Sequence, residues 1–264
     1  MRITKKIQWL LIVPGLLVLG AIAVANTTGL KKWWNKPETS NEATGNNKPD
    51  PAQVSMMNEL LTWLQPFDSS NISYYLNGSL TAIDRIDSAN ALKDVPYIMC
   101  KNGQQFYLRI GQTETINNES NYLFIDHAVK KMLVGEARKI VQAPGIPVNE
   151  LYDYIKSEGF AFSKTVSNNR LSTITMLNPN HISYKELSVQ YDSARKQVRK
   201  LFIRQAEVTD PMNADKEKWL TLNVKDWNDD PETAKYMGLQ KFIQKKQDEW
   251  VSAHGYENYE LIKQ

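Results

Sequence analysis

The sequence predicts an α+β fold dominated by antiparallel strands, and three observations carry that prediction. An apolar stripe with helical spacing occupies residues 51–64 and stops at Pro66. From Asn71 the apolar period shortens to near two, in runs separated by turn residues. Those runs follow one another without alternating helices, so the strands should meander as antiparallel neighbours. The same order excludes a Rossmann-type enzyme, and no Gly-rich phosphate loop occurs.

Before the first helix the chain reads as a leader. Residues 1–6 form a basic tail with Arg2, Lys5 and Lys6, and residues 7–25 carry no charge and are apolar at fifteen of nineteen positions. At 1.5 Å per residue this run is about 28 Å long, close to the thickness of a bilayer's hydrocarbon core. Residues 7–30 are therefore expected to form a transmembrane signal anchor, with Trp9, Trp33 and Trp34 at the membrane interfaces and the C-terminal part outside the cytoplasm. Ala23-Val24-Ala25 also fits a cleavage site. Either reading exports the remainder. No cysteine stands near the end of the apolar run, so a lipobox is missing. Residues 31–50, rich in Asn, Pro, Thr, Glu and Gly, should be a flexible linker. Residues 51–264 should be the exported domain.

Within that domain, Asp50 is a candidate N-cap, Pro51 suits the first helical position, and Gln53 stands where a capping box would place it. Val54, Met57, Leu61 and Leu64 make one stripe, widened by Met56, Leu60 and Trp63. Strands are expected at 72–83, 96–101, 105–111, 121–127, 130–134 and 138–142, with Asn102-Gly103 as a hairpin turn. Val148, Leu151, Tyr152 and Ile155 give a short second helix closed by Gly159. Further strands are expected at 160–166, 171–177, 185–192, 197–208 and 218–227, with a turn at Asn168-Asn169. From Gly238 a loose helical pattern precedes a closing strand at 259–262. Asp126 and Asp192 sit alike in two strand–Asp–turn–strand units, where the carboxylate can bond its own turn.

Composition narrows the function. The hydrophobic share of 42% against 23% charged residues describes a chain that folds. Residues 1–52 carry a net charge of +4 and the rest a net charge of −1, so the folded part lacks the basic excess of a nucleic-acid binder. One cysteine, Cys100, permits neither a disulfide nor a thiolate zinc cluster. His127, His181 and His254 show no metal spacing, and Asp126-His127 on a regular strand would point to opposite faces. Asp210, Asp215, Asp226, Asp229 and Asp230 are loop carboxylates without EF-hand order. No enzyme activity, metal or cofactor is expected.

The segments NISYYLNGSLTAIDRID, FIDHAVKKMLV and VQYDSARKQVRKLFI, with the helix before them, resemble the lipoprotein-carrier (LolA/LolB-like) family across residues 53–227. The resemblance implies a strongly curved antiparallel sheet, an incomplete barrel, with one amphipathic and one short helix over its apolar hollow. No family site residue is carried over. Carriers of that family are free in the periplasm or lipid-anchored, whereas this chain reads as one with a transmembrane helix before its β-rich domain.

The expected function is non-catalytic binding of an apolar or lipidated ligand by a single-pass inner-membrane protein with a periplasmic domain. The expected lining is Met56, Met57, Leu60, Leu61, Trp63 and Leu64, with Tyr75 and Phe106 from the sheet. The alternative is a protein–protein interaction subunit of an envelope complex. Expected partners are the bilayer, a lipid or lipidated protein and other envelope proteins, but no nucleic acid.

Overall fold

The computed structural model describes residues 50–264 apart from 69, 140–145, 147, 168 and 169. The leader with Trp9, Trp33 and Trp34, residues 31–49 of the linker, residues 140–142 of the strand expected at 138–142, and the Asn168-Asn169 turn lie outside the described residues, and Arg138 and Lys139 are not in a strand. Among the described residues no helix is long and apolar enough to cross a membrane.

Helix α1 (Pro51–Leu64) begins as the sequence indicates, with the Asp50 carboxylate accepting from the Ala52 N–H at 2.9 Å. Gln53 does not close a capping box. Its side-chain amide reaches strand β7 (Ala161–Val166) instead, accepting from the Phe162 N–H at 2.7 Å and donating to the Phe162 carbonyl at 3.2 Å. A strand edge offers a donor and an acceptor together, which a primary amide matches at both ends.

Fourteen strands follow among the described residues. β1 (Ser73–Asp84) lies mid-sheet. On one side β2 (Leu92–Asn102), β3 (Gln105–Ile110), β4 (Thr113–Asn117), β5 (Asn121–Asp126) and β6 (Lys131–Glu136) run outward as successive hairpins. Helix α2 (Val148–Ser157) then carries the chain to the far edge. From there β7, β8 (Ser172–Leu177), β9 (Tyr184–Asp192), β10 (Gln197–Gln205) and β11 (Lys218–Asn228) run back inward until β11 pairs with β1. All these pairings are antiparallel, and the twelve-stranded sheet is large, curved and not closed.

The tail differs from the loosely helical expectation. After the single turn α3 (Ala234–Met237) it forms a hairpin of β12 (Ile243–Lys246) and β13 (Glu249–Ser252), and β14 (Glu260–Lys263) closes the sheet parallel to β6. The hairpin wins because Gln247 and Asp248 both take positive φ, 50° and 65°, the conformation of a tight two-residue turn.

Strand β4 was not legible as one. Thr-Glu-Thr-Ile-Asn has a single aliphatic residue, yet all five side chains are buried. Hydrogen bonds make that possible: Thr113 donates to the Ile110 carbonyl at 3.0 Å, and Asn117 donates to the Gln104 and Arg138 carbonyls at 3.0 and 3.1 Å. The two repeated turns follow the expected chemistry. Asp126 accepts from the N–H groups of Ala128 and Val129, Asp192 from those of Ala194 and Arg195, and each loop ends on a left-handed lysine, Lys130 or Lys196.

The sheet buries apolar side chains on both faces. On one, the helix face, α1 packs on β7, β8 and β9, and α1 and α2 join one apolar cluster with Tyr74, Leu76 and Leu80 of β1, Leu187 and Val189 of β9, and Leu222 and Val224 of β11. On the other, the arm face, residues 236–261 cover Cys100, Tyr107, Ile116, Leu123, Ile125 and Met132. At the seam between the halves the register shifts beside Gly78, where β11 carries one extra residue, Lys225. A Cβ on Gly78 would stand 1.9 Å from the Asn223 carbonyl oxygen, so the close approach of β11 requires glycine.

Candidate functional site

The first site to test is the space between α1 and the sheet. Met57, Leu60, Leu61 and Leu64 are buried there, Met56 and Trp63 are half-buried, and Phe106 packs into the same cluster from β3. Tyr75 is not among them. Strand alternation turns it to the arm face, where its ring lies 5.2 Å from that of Tyr236. The helix is pinned at its outer side: Lys164 donates to Glu59 at 2.8 Å, the Tyr191 hydroxyl donates to the same carboxylate, and Trp63 stacks on Tyr191 at 4.1 Å. Burial opposes ionisation of Glu59, but the bonds from Lys164 and Tyr191 prevail and hold its carboxyl below the usual range.

A small cavity lies on the same face of the sheet, and no residue of α1 lines it. It holds about 30 Å³ and is lined by Leu80, Tyr97, Leu187, Leu201, Ile203 and neighbouring apolar groups. Sites for small molecules usually offer roughly 300–1,000 Å³. Tyr97, Ile203, Leu220 and Trp227 are half-buried and pack against the same apolar core. At one end of the strands, near Leu187, the buried Lys185 donates to Glu217 at 2.9 Å, and Arg204 lies 3.6 Å from the same carboxylate. Burial again opposes the charge of Glu217, and these cationic partners, with the Trp219 indole, keep its carboxyl below the ordinary value.

The arm face holds a polar constellation that the sequence did not suggest. Glu114 is buried among apolar side chains. It accepts from the Tyr107 hydroxyl at 2.6 Å, and its other oxygen is 2.9 Å from His127 Nε2. His127 Nδ1 is 2.7 Å from the Tyr259 hydroxyl of the C-terminal arm. Burial and the Glu114 carboxylate push the Tyr107 hydroxyl far above its normal range, so it donates at any physiological pH. His127 is thus no exposed strand end: a turn carries it past Asp126 and inward to Glu114. No local motif marks this, because Glu114 and His127 meet only through the β4–β5 pairing.

The other predicted residues have ordinary partners. His181 is buried, its Nδ1 accepting from the N–H groups of Ser183 and Tyr184 and its Nε2 lying 2.8 Å from the Tyr154 hydroxyl. Burial lowers its pKa, against the pull of Glu158. His254 is exposed beside Glu257. Asp210 pairs with Lys216, Asp215 with Arg85, and Asp226 accepts from Asn77. Cys100 is buried, and burial pushes its thiol up to about 11. Among the described residues no three His, Cys, Asp or Glu side chains gather as a metal would require.

A larger opening lies outside the hollow. An open groove of about 670 Å³ runs between the arm and the near ends of β3 and β5. Its apolar floor is Met237, Leu239, Ile243 and Trp250. Its rim is rich in uncharged amides, including Gln105, Asn121, Gln240 and Gln244.

No protein-family model matches the sequence, and no curated protein matches it. Among solved structures, an uncharacterized conserved protein from Thermus thermophilus aligns with a TM-score of 0.36 and 6% identity, over 78% of this chain and 98% of its own. A likeness that distant assigns neither family nor function.

Proposed function

We propose that this chain is a non-catalytic, membrane-tethered protein of the cell envelope that binds a protein partner on the surface of its exported β-rich domain. One observation carries the choice over guest binding: the cavity in the apolar core of the helix face, between strands β1, β2, β9, β10 and β11, holds about 30 Å³, whereas an open groove of about 670 Å³ lies beside the C-terminal arm. One acyl chain would need roughly ten times the room this cavity offers. The apolar leader and polar linker support the tether, since together they would hold such a surface close to a membrane where partners collect.

The second reading, an apolar or lipidated guest in the hollow, keeps one observation in its favour. Every side chain lining the small cavity is aliphatic or the ring of Tyr97. A guest reaching from there to the apolar face of α1 would have to break the Glu59 contacts and the Gln53 clamp on Phe162.

The two separate in one preparation. Full-length protein is extracted in mild detergent, and the co-purified proteins and lipids are quantified. The interaction reading expects a stoichiometric protein partner and no tightly held lipid. A stoichiometric lipid that disappears in Leu60→Trp, with no protein partner, would overturn it.

A further inference from the structure

We propose that the groove beside the C-terminal arm takes an extended peptide segment of a partner, added as a further strand along the free edge of β12. The inference rests on the surface-binding reading above and names its site and the class of its occupant. It starts from the hairpin register. Lys246 faces Glu249 across the two-residue loop, Lys245 faces Trp250, Gln244 faces Val251 and Ile243 faces Ser252. In an antiparallel pair, hydrogen-bonded and non-hydrogen-bonded positions alternate. A two-residue loop is closed by a bonded pair, so Lys246 and Gln244 turn their backbone groups toward β13. The bond from the Ala253 N–H to the Phe242 carbonyl at 2.8 Å fits the same alternation. Lys245 and Ile243 therefore point their backbone groups away from β13. The Ile243 N–H is taken by the Leu239 carbonyl at 2.9 Å. The Lys245 N–H and carbonyl and the Ile243 carbonyl remain, and among the described residues β12 pairs with no strand but β13.

These three groups border the groove, since Ile243, Gln244 and Lys245 all line it. An edge of this kind is what strand addition uses: main-chain bonds supply affinity, and pockets for alternate side chains supply selectivity. The floor of Met237, Leu239, Ile243 and Trp250 suits one or two apolar side chains of the incoming segment. The rim of neutral amides suits a peptide backbone, because each amide both donates and accepts. The contrast with β7 sharpens the point. There the side chain of Gln53 occupies the outward groups of Phe162, so that position on the edge is already filled. Among the described residues the edge of β12 has no such plug.

The test uses full-length protein in detergent micelles, with random twelve-residue peptides displayed on phage as the probe. Selected peptides should be free of proline in their core and carry apolar residues at alternate positions. Adding one should slow hydrogen exchange at the Lys245 amide. Lys245→Pro removes the single outward donor while leaving every bond to β13 in place, and should weaken the peptide about tenfold or more, the order expected for a lost hydrogen bond and its register. Lys245→Gln keeps the donor and should bind within about threefold of the parent, well under one such bond. Exchange at the Val251 amide reports whether the hairpin survives the proline. The proposal is overturned if no peptide is enriched, if Lys245 shows no added protection, or if Lys245→Gln loses as much as Lys245→Pro. A native partner still captured by Lys245→Pro at full strength would overturn this site and leave the surface-binding reading standing, whereas the absence of any partner would overturn that reading itself.

Discussion

The two faces of the sheet are closed by different chemistry. The helix face is sealed by α1, whose Leu60 and Leu64 are fully buried, and the contact beneath it is almost wholly apolar. The arm face is sealed by irregular chain and a short hairpin, and a hydrogen-bonded line from Tyr107 through Glu114 and His127 to Tyr259 runs into its apolar cluster. An apolar seal is insensitive to direction and to pH, and it fails when atoms are removed from it or forced into it. A polar line is directional, so removing one group leaves the others buried without partners. The helix face should thus behave as the structural core. The arm face should behave as the part whose docking can be changed without unfolding the sheet.

The contrast can be broken in order of expected effect. Gly78→Ala tests the seam that both faces share. With the Asn223 carbonyl 1.9 Å from the added carbon, β1 and β11 must part. The loss in urea unfolding should be about 3 kcal/mol or more, at the upper end for an overpacked site. Leu60→Ala removes a fully buried side chain from the helix face and should cost about 2–5 kcal/mol in one cooperative transition. Glu114→Ala on the arm face strands the Tyr107 hydroxyl and His127. It should cost about 1–3 kcal/mol, with exchange rising in residues 234–263 before it rises in β1. Equal exchange in both regions would contradict the division. Tyr259→Phe deletes the last bond of the line alone and should cost about 1 kcal/mol.

The helix face also holds a titrating histidine. His181 is buried, and its pKa is depressed below the ordinary 6.5 by that burial. The unfolded chain therefore takes up the proton first as pH falls. The contribution of His181 is full above pH 6.5 and is lost as pH drops toward its folded pKa. The midpoint of thermal unfolding should fall more steeply between pH 7.5 and 5 in the parent than in His181→Asn, which keeps a short side-chain acceptor. Parallel slopes would remove His181 from the account.

Much of the fold was legible because its signals are local. The α1 stripe, the glycine at 103 (φ +58°), the left-handed Gly159 and the paired Asp126 and Asp192 turns each declare themselves within a few residues. Strand β4 was hidden because its burial depends on partners far along the chain, and the C-terminal hairpin because its apolar spacing imitates a helix. The candidate sites were less legible for the same reason. Six of the eight expected lining residues lie on one helix and share an apolar cluster with Phe106, but strand parity sends Tyr75 to the opposite face. Glu114 and His127 come together only once β4 and β5 pair. The free edge of β12 exists only because the tail folds as a hairpin.

The choice of the surface over the interior depends on the apolar core of the helix face being solid. Spin-labelled stearic acid added to full-length protein in nanodiscs, with methyl groups of Leu80, Leu187, Leu201 and Ile203 observed by NMR, tests it most directly. The account predicts that these methyl signals keep their intensity at saturating label. Selective broadening of those four, with the arm-face methyls of Leu123 and Ile125 unchanged, would show a guest inside the sheet and contradict it.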